Sequence, residues 1–274
     1  MNSYTEVLRQ KAAETGSIIC LGMDPVIEKI PIKEQSPEKR IVKFYSDILA
    51  ATNSLIGAAK PNYAFYAQYG FPGLRALKKV ITACKGYKIP VILDAKRADI
   101  GKTSEAYAKE AFEFWKADAL TVQPYMGMDS VQPFIEYCKK GKGVYLLVRT
   151  SNKGAADFQE KGMDGKPFYM RLAEKTVEWH QPGTGGVVGA TNIEELREIA
   201  GYFNDSGKEI PLLIPGVGSQ GGNAADTAKA LANHKIHRIN SSSGINYAYE
   251  KYGTENYAEA AVKAVRELNS EISF

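Results

Sequence analysis

Short β-rich runs recur eight times along the 274-residue chain, separated by longer stretches with helical periodicity, and this alternation constrains the fold more than any single motif. The runs fall at residues 17–24, 57–65, 89–96, 119–125, 143–150, 186–191, 211–217 and 237–242. Between them the spacing predicts helices at 37–53, 73–85, 103–116, 129–139, 169–180, 193–203, 223–233 and 254–269. Eight strand–helix units is the count of a (β/α)8 TIM barrel, which takes about 250 residues. A doubly wound sheet usually has fewer strands, and no linker divides the chain. Residues 1–274 are therefore expected to form one barrel domain.

Composition narrows the partners. An apolar content of 44% and a charged content of 24% are those of a water-soluble protein. No apolar run approaches the roughly 20 residues of a membrane span, and the polar start of the chain does not resemble a secretory signal. Cys20, Cys84 and Cys138 are odd in number, widely spaced and free of any CxxC pattern, so they read as buried thiols in a reducing cytoplasm. The net charge of +4 is spread without a polybasic block, so nucleic acid is not demanded as a partner, whereas an anionic small molecule fits. His180, His234 and His237 have no cysteine or carboxylate at ligand spacing, and no metal site is expected. His234 and His237 are expected to flank a helix-to-strand turn.

In such a barrel the functional groups gather at the C-terminal ends of the strands. The third run surfaces as Asp94-Ala95-Lys96-Arg97-Ala98-Asp99-Ile100-Gly101, two carboxylates and two cations within six residues. Period-2 alternation through Lys96 puts Asp94 and Lys96 on one face and turns Arg97 away. The same residues also suit a solvated helix start capped by Asp99. Lys60 ends the second strand, where it neighbours Asp94 across the sheet. Tyr63, Phe65, Tyr66 and Tyr69 are expected to pack helices onto strands. Gly216-Val217-Gly218-Ser219-Gln220-Gly221 matches GxGxxG, but an acidic ribose ligand about twenty residues on is missing, which disfavours a dinucleotide site. A phosphate cradle after strand seven fits better, glycines letting backbone N–H groups approach an anion; a plain tight turn is the alternative. Gly101-Lys102-Thr103 imitates the end of a P-loop, yet the required earlier glycine position holds Lys96. Residues 153–166 read as an inserted loop, either a lid or a surface excursion.

Taken together, the DxKxxD motif of Asp94, Lys96 and Asp99, Lys60 on the preceding strand, Arg149-Thr150-Ser151-Asn152, and Pro215-Gly216-Val217-Gly218-Ser219-Gln220-Gly221-Gly222 resemble the orotidine 5'-phosphate decarboxylase family in its longer bacterial form. The resemblance runs from Asp24 to the eighth strand. It implies cofactor-free decarboxylation of orotidine 5'-monophosphate to uridine 5'-monophosphate, in a dimeric barrel. By position, it makes Lys60, Asp94 and Lys96 a charged array that Asp99 joins from the neighbouring subunit. Asp24 would bind the ribose, with Thr103 assisting from the partner chain. Ser151 would contact the pyrimidine, Gln220 would bridge pyrimidine and phosphate, and Gly218 with its neighbours would hold the phosphate.

One departure stands out. After strand eight the family has Ser-Arg-Gly-Ile, whereas this chain reads Ser242-Ser243-Gly244-Ile245, with Ser243 where the phosphate-gripping arginine is expected. A bidentate contact worth roughly 1.5–3 kcal/mol would be lost unless Arg238 or another cation compensates. Two other readings follow from the same residues. A sugar-phosphate decarboxylase or aldolase would need a metal and an enolate, for which no further acidic ligand accompanies Asp94 and Asp99. A nucleotide-binding barrel that had lost turnover would not be expected to keep every Lys and Asp of the array.

Overall fold

The structure is a computed structural model that describes residues 2–163, 165–217 and 221–272. Eight parallel strands are present: β1 (Ile19–Met23), β2 (Ala58–Pro61), β3 (Ile92–Arg97), β4 (Ala119–Val122), β5 (Gly143–Arg149), β6 (Thr184–Val188), β7 (Leu212–Ile214) and β8 (Arg238–Ser241). Their order in the sheet is β2-β1-β8-β7-β6-β5-β4-β3. Isolated bridges from Ala59 to Val91 and from Asn62 to Asp94 bring β2 to β3 and nearly close the ring. The eight expected runs thus map one to one onto the barrel strands.

Side chains that point inward along the strands fill the barrel. Cys20, Ala58, Ile92, Ala119, Tyr145, Leu147, Val187 and Leu213 form an inner cluster, separate from the larger layer between strands and helices. Period-2 alternation sends the other set outward, against helices α2 (Pro37–Thr52), α4 (Gly70–Gly86), α7 (Phe168–Glu178), α8 (Ile193–Asp205) and their neighbours. Burying Phe44, Leu77, Leu196 or Phe203 in that layer contributes about 1.5–3 kcal/mol each before chain entropy is counted.

The N-terminal mouth is plugged by α1 (Tyr4–Thr15), a helix the periodicity did not single out. Its start is a capping box: Ser3 Oγ accepts from Glu6 N–H, and the Glu6 carboxylate accepts from Ser3 N–H. Tyr4 and Leu8 enter the barrel beneath Cys20 and Tyr145. Gly143 makes room for this plug, since a Cβ there would lie 2.3 Å from the Tyr4 ring. Arg238, wholly buried, ties the same end together. Its guanidinium donates to the carbonyls of Leu8, Gly57, Lys235 and His237 at 2.6–3.1 Å.

Element boundaries differ from expectation in instructive places. The second strand stops at Pro61 instead of Phe65, because Asn62 Oδ1 accepts from Ala64 N–H and starts a short helix, α3 (Tyr63–Ala67). The expected helix 103–116 begins at Gly101 as α5 (Gly101–Lys109) and continues as a π-helical turn, Glu110–Phe114. In the expected helix 129–139, α6 (Met128–Ile135) carries Pro133 and tightens into a 3-10 turn, Glu136–Lys140. Residues 153–166 contain a 3-10 turn, Lys153–Asp157, and most of a two-residue-per-strand hairpin of Gly162–Met163 with Lys166–Pro167. Gln159 anchors them to the end of β5, accepting from Thr150 N–H and donating to Thr150 Oγ1, both at 2.8 Å. His234 lies in the turn His234–Ile236, and His237 leads into β8, as the sequence suggested.

Candidate active site

Asp94 sits at the exit of β3 with a lysine on each oxygen. Lys60 Nζ, from the end of β2, donates to Oδ2 at 2.9 Å, and Lys96 Nζ donates to Oδ1 at 2.7 Å. Thr121, on β4, donates its hydroxyl to the same Oδ1 at 3.0 Å. The Lys60 side chain is 5% exposed and that of Asp94 9%, whereas Lys96 is 49% exposed. The array therefore has a buried half and an open half, and the open ammonium belongs to Lys96.

Simple alternation reaches this pairing only in part. The β3–β4 register slips between Leu93 and Arg97, and Lys96 adopts φ +44°, a left-handed conformation costing roughly 1–2 kcal/mol for a residue with a Cβ. Thr121 Oγ1 stabilises the kink by accepting from Lys96 N–H at 2.9 Å. Arg97 does turn away. It pairs with Glu110 at 2.9 Å, and its guanidinium lies 4.6 and 4.5 Å from the Tyr63 and Tyr107 ring centroids.

Opposing forces set the charge states. Burial pushes the Asp94 carboxyl up, but the Lys60 and Lys96 ammonium groups pull harder and hold it below the ordinary carboxylate range. For Lys60 burial works downward; Asp94 and then Asp24 outweigh it, leaving Lys60 above the usual lysine value. Each charge is thus maintained by its partner.

A cavity of about 530 Å³ opens above this array. Lys60, Asp94, Lys96, Thr121, Asp24 and Asn240 give it a polar side, while Leu147, Val187, Leu213 and Pro215 give it an apolar one. Thr150, Ser151 and Asn152 line it at the end of β5, Gly216 and Val217 after β7, and Ser242 and Ser243 after β8. Asp24 Oδ1 and Asn240 Oδ1 are buried acceptors without a hydrogen-bond donor among the described residues. Gly22 is required beside them, because a Cβ there would lie 1.8 Å from Ser242 Oγ.

Of the residues singled out in the sequence, Asp24, Lys60, Asp94, Lys96, Ser151 and Ser243 meet around this cavity. Gly218 and Gln220, expected at the phosphate, lie outside the described residues. Asp99 and Thr103 do not line the cavity of their own chain. Asp99 accepts from Ile100 N–H at 2.9 Å, and Thr103 is exposed in the first turn of α5. Arg149 is not free for a ligand, being held by Glu160 and Glu195 at 2.6 Å each. Arg238, one of the cations that could have compensated for Ser243, does not do so. Arg238 opens β8 and seals the opposite mouth of the barrel, whereas Ser243 follows the end of that strand. Thr121 and Asn240 escaped the sequence reading; their inward positions on β4 and β8 were the signal that could have found them. Among the described residues no group of three or more His, Cys, Asp or Glu is placed to hold a metal ion, and no helix is long and apolar enough to cross a membrane.

Fold and site together define a (β/α)8 barrel that carries a Lys–Asp–Lys array at the C-terminal mouth of its strands. The model of the Orotidine 5'-phosphate decarboxylase / HUMPS family matches residues 17–270, and the chain belongs to this family. Relatives named orotidine 5'-phosphate decarboxylase include one from Herpetosiphon aurantiacus, 40% identical over 96% of this chain and 95% of its own length. Another, from Cupriavidus metallidurans, is 44% identical over 90% of each. The solved OMP decarboxylase of Leishmania donovani superposes with a TM-score of 0.81, at 31% identity over 99% of each chain. The orotidine 5'-monophosphate decarboxylase of Methanocaldococcus jannaschii, solved with the inhibitor BMP, is 25% identical with a TM-score of 0.68, over 92% of this chain and 99% of its own.

Proposed function

We propose that this chain decarboxylates orotidine 5'-monophosphate to uridine 5'-monophosphate, a step of pyrimidine biosynthesis, as one barrel domain. The observation that carries the reading is the Asp94 carboxylate fixed between Lys60 and Lys96 at the floor of the cavity, in a chain of this family. Breaking the bond from C6 to the carboxylate leaves its electron pair on C6, with no adjacent group to delocalise it. The stabilising charge must then be in place beforehand, and the half-exposed Lys96 ammonium is the group that can lie beside that carbon. Lys96 then gives a proton to C6 and becomes a neutral amine. Asp94 cannot relieve crowding by taking up a proton, because the two lysines keep it ionised, so it faces the substrate carboxylate as a fixed charge that departing CO₂ escapes. Leu147, Val187 and Leu213 offer the neutral gas an apolar wall.

Asp24 suits a ribose hydroxyl, since its buried Oδ1 calls for a donor. Ser151 suits the pyrimidine, and Gly218 with Gln220 the phosphate loop. Asp99 and Thr103 are assigned to the cavity of a second subunit in a homodimer. Their position outside their own cavity supports this, as does Ile100 beside them, an apolar side chain 57% exposed. A reducing cytoplasm suits the three buried free thiols.

Carbon dioxide release from orotidine 5'-monophosphate tests the reading. Wild-type protein should turn over in the presence of chelator, and Lys96→Ala should abolish release while keeping the wild-type unfolding profile. Substantial turnover by Lys96→Ala would refute the assigned chemistry. Mixing Asp99→Asn with Lys96→Ala protein should restore activity, because one of the two sites in a mixed dimer is whole; no restoration would refute the shared site.

A further inference from the structure

A nucleoside 5'-monophosphate carries a dianion, and the cavity's own cations are committed elsewhere. Lys60 and Lys96 are the lysines lining it among the described residues, and both bind Asp94. The phosphate side of the cavity, Gly216, Val217 and Ser243, offers backbone N–H groups and a hydroxyl but no charge. Behind it lies a second hollow of about 570 Å³, which shares Val217, Ser243 and Tyr247 with the first and also reaches Gly222. Lys29 lines that hollow.

We infer that Lys29 supplies the positive charge that holds the substrate phosphate in this protein, an assignment that rests on the function proposed above. The segment carrying Lys29 is pinned. Val26 N–H donates to Tyr247 Oη at 2.9 Å, Ile27 N–H donates to Tyr69 Oη at 3.2 Å, and Tyr249 Oη donates to the Lys29 carbonyl at 2.6 Å. Lys29 Nζ lies 5.4 Å from the Tyr247 ring centroid, and Tyr247 N–H donates to the Ser243 carbonyl at 3.0 Å. The ammonium thus lies against the ring of Tyr247, a residue that with Ser243 lines both the hollow and the first cavity. Its present partner is Glu250, at 3.0 Å, in a pair whose side chains are 48% and 46% exposed. A pair so open to water is weak, and a flexible four-carbon stem can exchange it for a dianion at the wall the two hollows share. Lys251, the other lysine lining the hollow among the described residues, lies 5.0 Å from the ring centroid of Tyr252, which does not line the first cavity.

The test compares ligands with and without the phosphate. Lys29→Met should raise KM for orotidine 5'-monophosphate and Kd for uridine 5'-monophosphate about ten- to a hundredfold, with kcat held and uridine affinity unchanged. Lys29→Arg should restore both constants, as should Ser243→Arg on the Lys29→Met background. Glu250→Gln should tighten binding by freeing the ammonium, and Lys251→Met should leave it unchanged. An unaltered Kd for uridine 5'-monophosphate in Lys29→Met, an equal loss for uridine, or an equal loss in Lys251→Met would overturn the assignment. Absence of CO₂ release by wild-type protein would instead sink the decarboxylase reading, since the comparison of uridine 5'-monophosphate with uridine needs no turnover.

Discussion

Replacing Asp94 by Asn would separate the two jobs this carboxylate performs. The substitution preserves shape and leaves Thr121 a carbonyl to bond, but it strips the counter-charge from Lys60, whose side chain is 5% exposed. Removing one partner of a buried ion pair costs about 3–5 kcal/mol, because the remaining charge is left uncompensated. At about 2–4 °C per kcal/mol for a large domain, the midpoint should fall by roughly 6–20 °C. Lys96, half exposed, can turn to water and should add little to that loss. The penalty should depend on pH with a definite sign. In the wild type Lys60 is raised above its unfolded value, so its contribution is present below that value and is lost as pH rises through the folded one. With Asp94 neutralised, burial becomes the dominant influence and lowers Lys60. The unfolded chain then binds more protons than the folded one, and stability rises with pH. Urea unfolding of Asp94→Asn and wild type at pH 7 and pH 10 should show a large deficit that narrows at the higher pH. Pairing Lys60→Met with Asp94→Leu should recover much of it, since neither member of the buried pair then keeps a charge. A deficit below about 1 kcal/mol at pH 7, or one that widens with pH, would refute the electrostatic account of the site.

Other outcomes follow from separate parts of the molecule. Ser243→Arg in the wild-type background should raise kcat/KM for the phosphorylated substrate, since residue 243 is exposed at the cavity rim and has room for the longer side chain; an unchanged or lower value would count against a weakened phosphate grip. His237 is held neutral, burial lowering its value from 6.5 to about 4, with Nδ1 accepting from Leu212 N–H at 3.0 Å and Nε2 bonded to the Ala232 carbonyl at 2.7 Å. The unfolded chain takes up the proton first, so stability should fall as pH drops from 6.5 towards 4, by about 3 kcal/mol at most. Urea titrations of His237→Gln should show a flatter profile across that window, and an unchanged slope would clear His237 of the effect.

The sequence by itself determined the number and order of strands, because eight β-rich runs separated by helical periodicity have few ways to bury one face each. It also determined the chemical character of the third strand's exit, since charges crowded at the end of an apolar run have to surface there. Lys60, Asp94 and Lys96 were legible for the same reason, lying towards the strand ends that a barrel gathers, whereas Asp24 and Ser151 came from the family resemblance. What lay beyond it were relations between residues far apart in the chain. The division of Asp94 between two lysines depends on a register slip and on Lys96 at φ +44°, a conformation that Thr121 of the next strand supports and no local pattern encodes. The plug α1 depends on Gly143 leaving space for Tyr4, more than a hundred residues away. Arg238 shows the limit most clearly. As a letter near Ser243 it looked like a substitute cation, yet an inward residue at the start of a strand faces one mouth of a barrel and a residue just past its end faces the other. Direction along the strand, which only the tertiary structure supplies, puts Arg238 at the mouth away from the cavity and leaves Lys29 as the lysine beside it.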